Sequence, residues 1–224
     1  MKTLPYTTAA RIEHKRVLVG ANGLLCREGT YDLAVSKEIK RSYQTLPVHG
    51  KIVLDIGGNI GGFARYAALN GAKLVISIEP EESNYQCLQA NTAGLNVICL
   101  RGCLDRGTGF TKIYLTTGIN SGATSQTPRR GRFEQSVPKI DADSILRKYS
   151  PESVKMDCEG AEYNIGRADC WPLSVRNVCC EIHIAGFGVT KAQQFVQEYH
   201  DWISIRKPII RENAWHTLGS FQRK

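Results

Sequence analysis

Short apolar runs alternate along the chain with stretches whose apolar positions recur at helical spacing. That alternation predicts a parallel sheet with helices on both faces. Lys51–Ile56, Lys73–Glu79, Asn96–Arg101, Ser153–Asp157 and Asn177–His183 read as strands. Phe63–Asn70 reads as a helix stopped by Gly71, and Ser83 is placed to cap another that reaches Ala93 ahead of Gly94. From Thr111 to Val137 the rhythm breaks. Lys112–Thr116 reads as a short strand, and the Gly/Ser/Thr-rich stretch Thr116–Gln135 as a mobile loop of the kind that carries substrate contacts. Asp141 or Asp143 can cap a helix through Tyr149. Thr190 can cap one whose Phe195, Val196, Tyr199 and Trp202 share a face, which marks core. Ile203–Phe221 reads as two closing strands in an antiparallel hairpin. Residues 1–48 read as an N-terminal extension or cap, with a helix over Asp32–Tyr43 covering one edge of a domain formed by 49–224.

Composition narrows the class. The 224 residues are 42% hydrophobic and 22% charged, a balance that excludes a wholly disordered chain. No apolar run approaches the roughly 18 residues needed to cross a bilayer, and residues 1–30 lack a signal-peptide stretch, so a soluble, cytoplasmic protein without a membrane partner is expected. Eight cysteines without a CxxC then read as reduced thiols, with Cys99, Cys158, Cys179 and Cys180 buried in strand-like runs. The net charge of +8 suits an anionic partner such as nucleic acid. Its tightest basic group is Arg129, Arg130 and Arg132, in the loop that also holds Asn120, Ser121 and Thr124. That loop is expected to close over an acceptor.

Two constellations carry candidate chemistry. The first is Val53-Leu54-Asp55-Ile56-Gly57-Gly58-Asn59-Ile60-Gly61-Gly62, a strand that turns on glycines into a helix. A dinucleotide fingerprint G-x-G-x-x-G fails at Asn59 when started from Gly57, and at Ile60 when started from Gly58. The pattern D-x-G-x-x-x-G, met by Asp55, Gly57 and Gly61, suits a ligand with a charged amino-acid end and no pyrophosphate, namely S-adenosylmethionine. Asp55 is then expected near the methionine ammonium, with Gly58 and Asn59 in the same loop. Glu79, followed by Pro80, ends the next strand and can accept hydrogen bonds from both ribose hydroxyls. Adenine is expected near Cys103 and Leu104.

The second constellation is Lys155-Met156-Asp157-Cys158-Glu159-Gly160-Ala161-Glu162 with Glu181-Ile182-His183. Side-chain alternation puts Lys155 with Asp157, and Glu181 with His183, on the rim that holds the glycine loop. Lys155 and Glu181 are the members expected to form a structural ion pair.

These blocks, with Ile78-Glu79-Pro80 and Val137-Pro138-Lys139-Ile140-Asp141, resemble the FkbM-type methyltransferases over about residues 50–185. Gly58, Met156 and Cys158 depart from the family's usual residues without removing a polar group. The resemblance implies a class I Rossmann-like α/β fold, with a mostly parallel seven-stranded sheet and an antiparallel C-terminal strand. It also implies S-adenosylmethionine-dependent methyl transfer, mostly to oxygen, with a sugar, glycan or other small-molecule acceptor. His183 is the expected general base, with Asp157 orienting the acceptor or holding the histidine, and Glu159 and Lys155 beside them. Alternatives stand open. One is a nucleic-acid 2′-O-methyltransferase built on Lys155, Asp157 and Glu159. Another is a metal-dependent enzyme with Asp157, Glu181 and His183 as ligands of a divalent ion. A third is a non-catalytic cofactor-binding scaffold. A nicotinamide dehydrogenase stands behind these, disfavoured by Asn59.

Overall fold

The computed structural model describes residues 17–20, 23–115, 133–211 and 214–224. Asn120, Ser121, Thr124, Arg129, Arg130 and Arg132 lie outside the described residues, so the expected closing loop does too. In chain order the elements are β1 (Val17–Val19), β2 (Leu25–Arg27), α1 (Asp32–Tyr43), β3 (Ile52–Ile56), α2 (Gly62–Leu69), β4 (Leu74–Glu79), α3 (Glu82–Thr92), β5 (Val97–Arg101), β6 (Cys103–Asp105), β7 (Phe110–Leu115), β8 (Phe133–Asp141), α4 (Ala142–Tyr149), β9 (Ser153–Met156), α5 (Glu162–Ile165), β10 (Asn177–His183), α6 (Val189–Gln197), β11 (Trp202–Arg206) and β12 (His216–Arg223).

The expected strands assemble into a seven-stranded sheet of order β11-β12-β10-β9-β3-β4-β5. Strands β10, β9, β3, β4 and β5 run parallel, and β12 runs antiparallel to both of its neighbours. Both faces are covered, which is why the central strands are apolar at consecutive positions rather than alternate ones. Val53, Val75 and Cys179 pack with Ile39 and Tyr43 of α1 and Phe63, Ala64 and Ala67 of α2. Leu54, Ile76, Val154 and Cys180 pack on the other face with Ile145 of α4, Tyr163 of α5 and Phe195 of α6. The chain runs outward through β3, β4 and β5, then returns to place β9 on the other side of β3. That reversal opens a crevice at the carboxyl ends of β3 and β9.

Several local readings change. The side chain that caps α3 is Glu81, which accepts from the N–H groups of Ser83 and Asn84, so Ser83 is a donor inside the first turn. Helix α4 is capped by Asp141, whose side chain accepts from Ser144 N–H. Helix α6 follows Gly188 without a side-chain cap, so Thr190 is not its cap, and the helix ends before Trp202, which opens β11. Phe195, Tyr199 and Trp202 still meet in the core, with successive ring centroids 5.7 and 5.3 Å apart. Part of the expected loop is strand: β8 pairs antiparallel with β7 and parallel with β6 in a separate three-stranded sheet. Among its described residues this sheet buries only Cys103, Leu104, Ile113 and Val137 deeply, and of these Leu104 packs into the main core. Its strands therefore lack the apolar run that would announce them, and Pro138 argues against a strand.

Helix α1 keeps its expected bounds but covers a face, not an edge. The rings of Tyr43 and Phe63 meet at 5.4 Å. Arg27, just before it, is buried and fixes the segment to α3: its guanidinium binds Asp32 at 2.9 Å, Ser83 at 2.5 Å and Asn84 at 2.7 Å. All eight cysteines are free thiols. Cys179 and Cys180 are fully buried, Cys99 and Cys158 partly. Among the described residues no helix is long and apolar enough to cross a membrane.

Candidate active site

Strand β3 runs straight into the glycine loop. Gly57 has φ 79°, and a Cβ there would lie 1.8 Å from the Asp157 carbonyl oxygen, so only glycine lets the loop pass against the end of β9. Asn59 also sits in the left-handed region, at φ 49°. This turn aims the Asn59 N–H at Glu79 Oε2 (2.8 Å), while the Glu81 N–H reaches Oε1 (2.9 Å). Burial pushes the Glu79 carboxyl up to about 7, against these two hydrogen bonds that favour its charge. In front of it lies a cleft of about 620 Å³, lined by Gly57, Asn59, Glu79, Pro80, Cys103 and Leu104 from the expected set. Ile56, Ile78 and Ile113 add apolar wall, and Asp157, Cys158 and Glu159 close the far side.

Asp55 does not stand by the cleft. It shares a strand face with Val53 and is wholly buried. The Ser77 hydroxyl donates to its Oδ2 at 2.7 Å, and Lys155 Nζ lies 3.2 Å from Oδ1. Lys155 is its direct register partner across β3 and β9. The Lys155 ammonium also donates to the Gly57 carbonyl at 2.6 Å, which ties the glycine loop down from below. Burial opposes its charge, but Asp55 and Asp157 more than offset that and raise its pKa. The expected Lys155–Glu181 pair is therefore replaced by Lys155–Asp55. Gly58 and Gly61 pack behind the loop, against Ser77 and Leu88.

Asp157, Glu159, Glu181 and His183 do come together at the ends of β9 and β10. The Tyr43 hydroxyl donates to Asp157 Oδ2 at 3.0 Å and stands 3.5 Å from Glu181 Oε2. The other Glu181 oxygen pairs with His216 Nδ1 at 2.8 Å. His216 faces His183 directly across β12 and β10. Behind them Glu162, fully buried, accepts from the backbone N–H of His183 (2.8 Å) and that of Gly160 (2.8 Å), and lies 3.0 Å from His183 Nδ1.

Burial disfavours the His183 cation. The hydrogen bond and charge of Glu162, with the charges of Glu159 and Asp157, nevertheless push its pKa up to about 10. His183 is then an imidazolium near neutrality and is not the free base its residue type suggested. Burial and the neighbouring Asp157 raise the Glu181 carboxyl. Glu159 holds φ 53°, a second non-glycine residue in the left-handed region on this rim.

Tyr43, Glu162 and His216 were not singled out from sequence. Glu162 lies in the quoted acidic block and could have been found there. Tyr43 and His216 reach the site only through the packing of α1 and β12.

The model of the Methyltransferase FkbM domain matches residues 55–207, which span both constellations. The chain belongs to the FkbM methyltransferase family. Membership makes it a methyltransferase and implies S-adenosylmethionine as methyl donor. Solved structures agree on the fold alone. A precorrin-6Y C5,15-methyltransferase from Geobacter metallireducens is similar at 10% identity and TM-score 0.51, covering 89% of this chain and 92% of that one. Trm5b from Pyrococcus abyssi is similar at 12% identity and TM-score 0.50, covering 90% and 53%. No curated protein matches the sequence. The FkbM chain thus has the layout of a class I methyltransferase, with its glycine loop and acidic cluster on the rim where such sheets bind ligands.

Proposed function

We propose that the protein methylates a hydroxyl oxygen of a sugar, glycan or other small-molecule acceptor, using S-adenosylmethionine. The observation that carries this reading is a shared wall. Asp157 lines the cleft beside Glu79 and also a second cavity of about 490 Å³, which Tyr43, Lys155 and Glu181 line with it. An acceptor held against that wall lies within reach of a methyl group presented from the cleft.

The cleft fits the cofactor. Gly57 lets the loop lie against the end of β9, and both Glu79 oxygens are oriented by backbone donors yet keep lone pairs for two ribose hydroxyls. Cys103, Leu104 and Ile113 supply an apolar floor for adenine. When bound, the cofactor supplies an electrophilic methyl on a sulfonium whose leaving group is neutral. The chain must therefore align the acceptor, exclude water and take one proton. The acceptor O–H proton passes to a carboxylate of the wall, Asp157 or Glu159. With the C–S electron pair kept on a neutral leaving sulfur, the acceptor proton is the charge left for the chain to manage. His183, held as a cation by Glu162, positions these carboxylates and does not take the proton.

The net charge of +8 favours a second reading, 2′-O-methylation of nucleic acid. Against it, Lys155 is committed to Asp55 and Gly57, and the acceptor wall is rich in carboxylates that repel phosphate. The test is to incubate the chain with methyl-labelled cofactor and, separately, neutral sugars, nucleotide sugars, glycans and RNA. Label in RNA alone would replace the first reading by the second. Absence of cofactor or S-adenosylhomocysteine binding by calorimetry would remove both.

A further inference from the structure

We infer that Asp157, Glu181 and His183 form a binding site for one divalent first-row cation, of the Mn²⁺ type, which holds acceptor oxygens against the methyl donor. This deepens the proposed function and rests on it for the acceptor's role, though the binding site itself does not. One ligand atom from each of the three residues lies within 4.8 Å of the other two. Bonds of about 2.0–2.3 Å around a single ion set neighbouring ligand atoms about 3–4 Å apart, so side-chain rotations that draw the three groups about 1 Å closer complete the set. Two carboxylates and one imidazole suit a borderline cation better than a soft one, and three protein ligands leave positions open for acceptor oxygens.

The arrangement of His183 is an independent pointer. Its side chain is 8% exposed. Nδ1 is occupied by the buried Glu162, while Nε2 makes no hydrogen bond among the described residues. The nearest carboxylate oxygens to Nε2 belong to Glu159 at 3.7 Å and Glu181 at 3.8 Å, too distant to be accepting a hydrogen bond. A carboxylate that grips one ring nitrogen and so aims the other is the device that orients metal-binding histidines, and an ion bound here takes the place of the Nε2 proton that the surrounding carboxylates otherwise keep on the ring. The remaining neighbours also behave as outer supports. Tyr43 donates to Asp157 Oδ2, and His216 Nδ1 pairs with Glu181 Oε1, the oxygen that also stands 3.8 Å from His183 Nε2, which leaves Oε2 on the side of Tyr43 as the ligand atom. Asp157 and Glu181 both line the second cavity, so the site opens where an acceptor would enter. With Asp157 engaged as a ligand, Glu159 is the wall carboxylate left to take the acceptor proton.

The experiment is Mn²⁺ titration of the full, cofactor-free chain, read by electron paramagnetic resonance and calorimetry. One ion per chain with micromolar affinity is expected. Asp157→Asn and Glu181→Gln, near-isosteric and each confirmed as folded by native circular dichroism and a cooperative melt, should weaken binding at least ten-fold. Glu162→Gln should weaken it less, and Glu159→Gln should leave it intact. No stoichiometric Mn²⁺ binding would overturn the inference, as would binding unaltered in both Asp157→Asn and Glu181→Gln. S-adenosylhomocysteine is titrated in parallel. Its binding without Mn²⁺ binding sinks the cation site and spares the methyltransferase reading, whereas Mn²⁺ binding without it spares the cation site and sinks that reading.

Discussion

At the ends of β3 and β4 the cleft wall is almost all backbone and apolar side chain, with Glu79 as the carboxylate that these strands turn into it, satisfied by the N–H groups of Asn59 and Glu81. At the ends of β9 and β10, a few ångströms away, Asp157, Glu159, Glu162, Glu181, His183 and His216 crowd together and satisfy one another through side chains. The first half is the cleft proposed to take the cofactor. Its groups are held by local loop geometry, so each can be altered almost independently. The second half is a coupled network, in which removing one member leaves buried charges without partners. Its chemistry is set by environment: His183 keeps its proton to about 10 because Glu162 and its neighbours surround it.

The largest expected effect lies in the second half. Asp157→Ala should lower turnover by about 10²–10⁴-fold, whether Asp157 takes the acceptor proton or holds the ion that positions the acceptor, while cofactor affinity stays within a few-fold. Turnover within a factor of three of wild type would make the cluster structural and erase the functional contrast. In the first half the sharp counterpart is Gly57→Ala. Its Cβ would meet the Asp157 carbonyl at 1.8 Å with φ at 79°. Calorimetry should show cofactor affinity falling by about 100-fold or more, since strain and clash together cost several kcal/mol. Gly188→Ala, also at positive φ but with nothing within 4 Å of its Cβ, is the matched control and should leave affinity unchanged. Equal losses in both would assign the effect to general destabilisation.

The contrast also explains what could be read from sequence. The cofactor half is local: strand, glycine loop and the acid ending the next strand follow one another in the chain, so Gly57, Asn59 and Glu79 were identifiable by spacing. Asp55 misled because a motif shows which residues are present and not which face they take. Its strand register with Lys155 put it under α2. The strand order followed from buried apolar runs, but β8 did not, having only Val137 as a deeply buried anchor among its described side chains, most of them polar. In the acceptor half Asp157 and His183 were identifiable as strand ends. Tyr43 and His216 lie far from them in the chain and meet them only by tertiary packing.

Next in size is Glu79→Ala, which should weaken S-adenosylhomocysteine binding by about 1–3 kcal/mol through lost charged hydrogen bonds. The same residue separates the halves by pH. The Glu79 pKa is raised by burial from 4.5 to about 7, so the native state holds a proton that the unfolded chain has released. Stability should then fall as pH rises across that window and level off above it, while cofactor affinity increases. His183 is raised from 6.5 to about 10 by Glu162 and its neighbours against the opposing effect of burial. Its stabilisation is fully present below 6.5 and is lost as pH climbs through 10. Melting curves against pH should therefore lose the lower slope in Glu79→Gln and the upper slope in His183→Gln. A single variant that flattened both windows would mean the two halves titrate as one unit.

The smallest effect is the most diagnostic of coupling. Tyr43→Phe removes one hydroxyl that donates to Asp157 at 3.0 Å and stands 3.5 Å from Glu181, and leaves the ring packed on Phe63. The loss in stability should be only about 0.5–1.5 kcal/mol. Burial, then Asp157 and Glu181, raise the Tyr43 hydroxyl's own pKa, so it remains a donor throughout the working range. In a network its removal must change the worth of its neighbours. Combined with Glu181→Gln, chemical denaturation should show an interaction energy of about 0.5–3 kcal/mol, whereas Tyr43→Phe with Glu79→Gln should be additive within about 0.5 kcal/mol. Additivity in both pairs would show that the acceptor half is a set of separate contacts, and the difference between the two halves would then be one of composition alone.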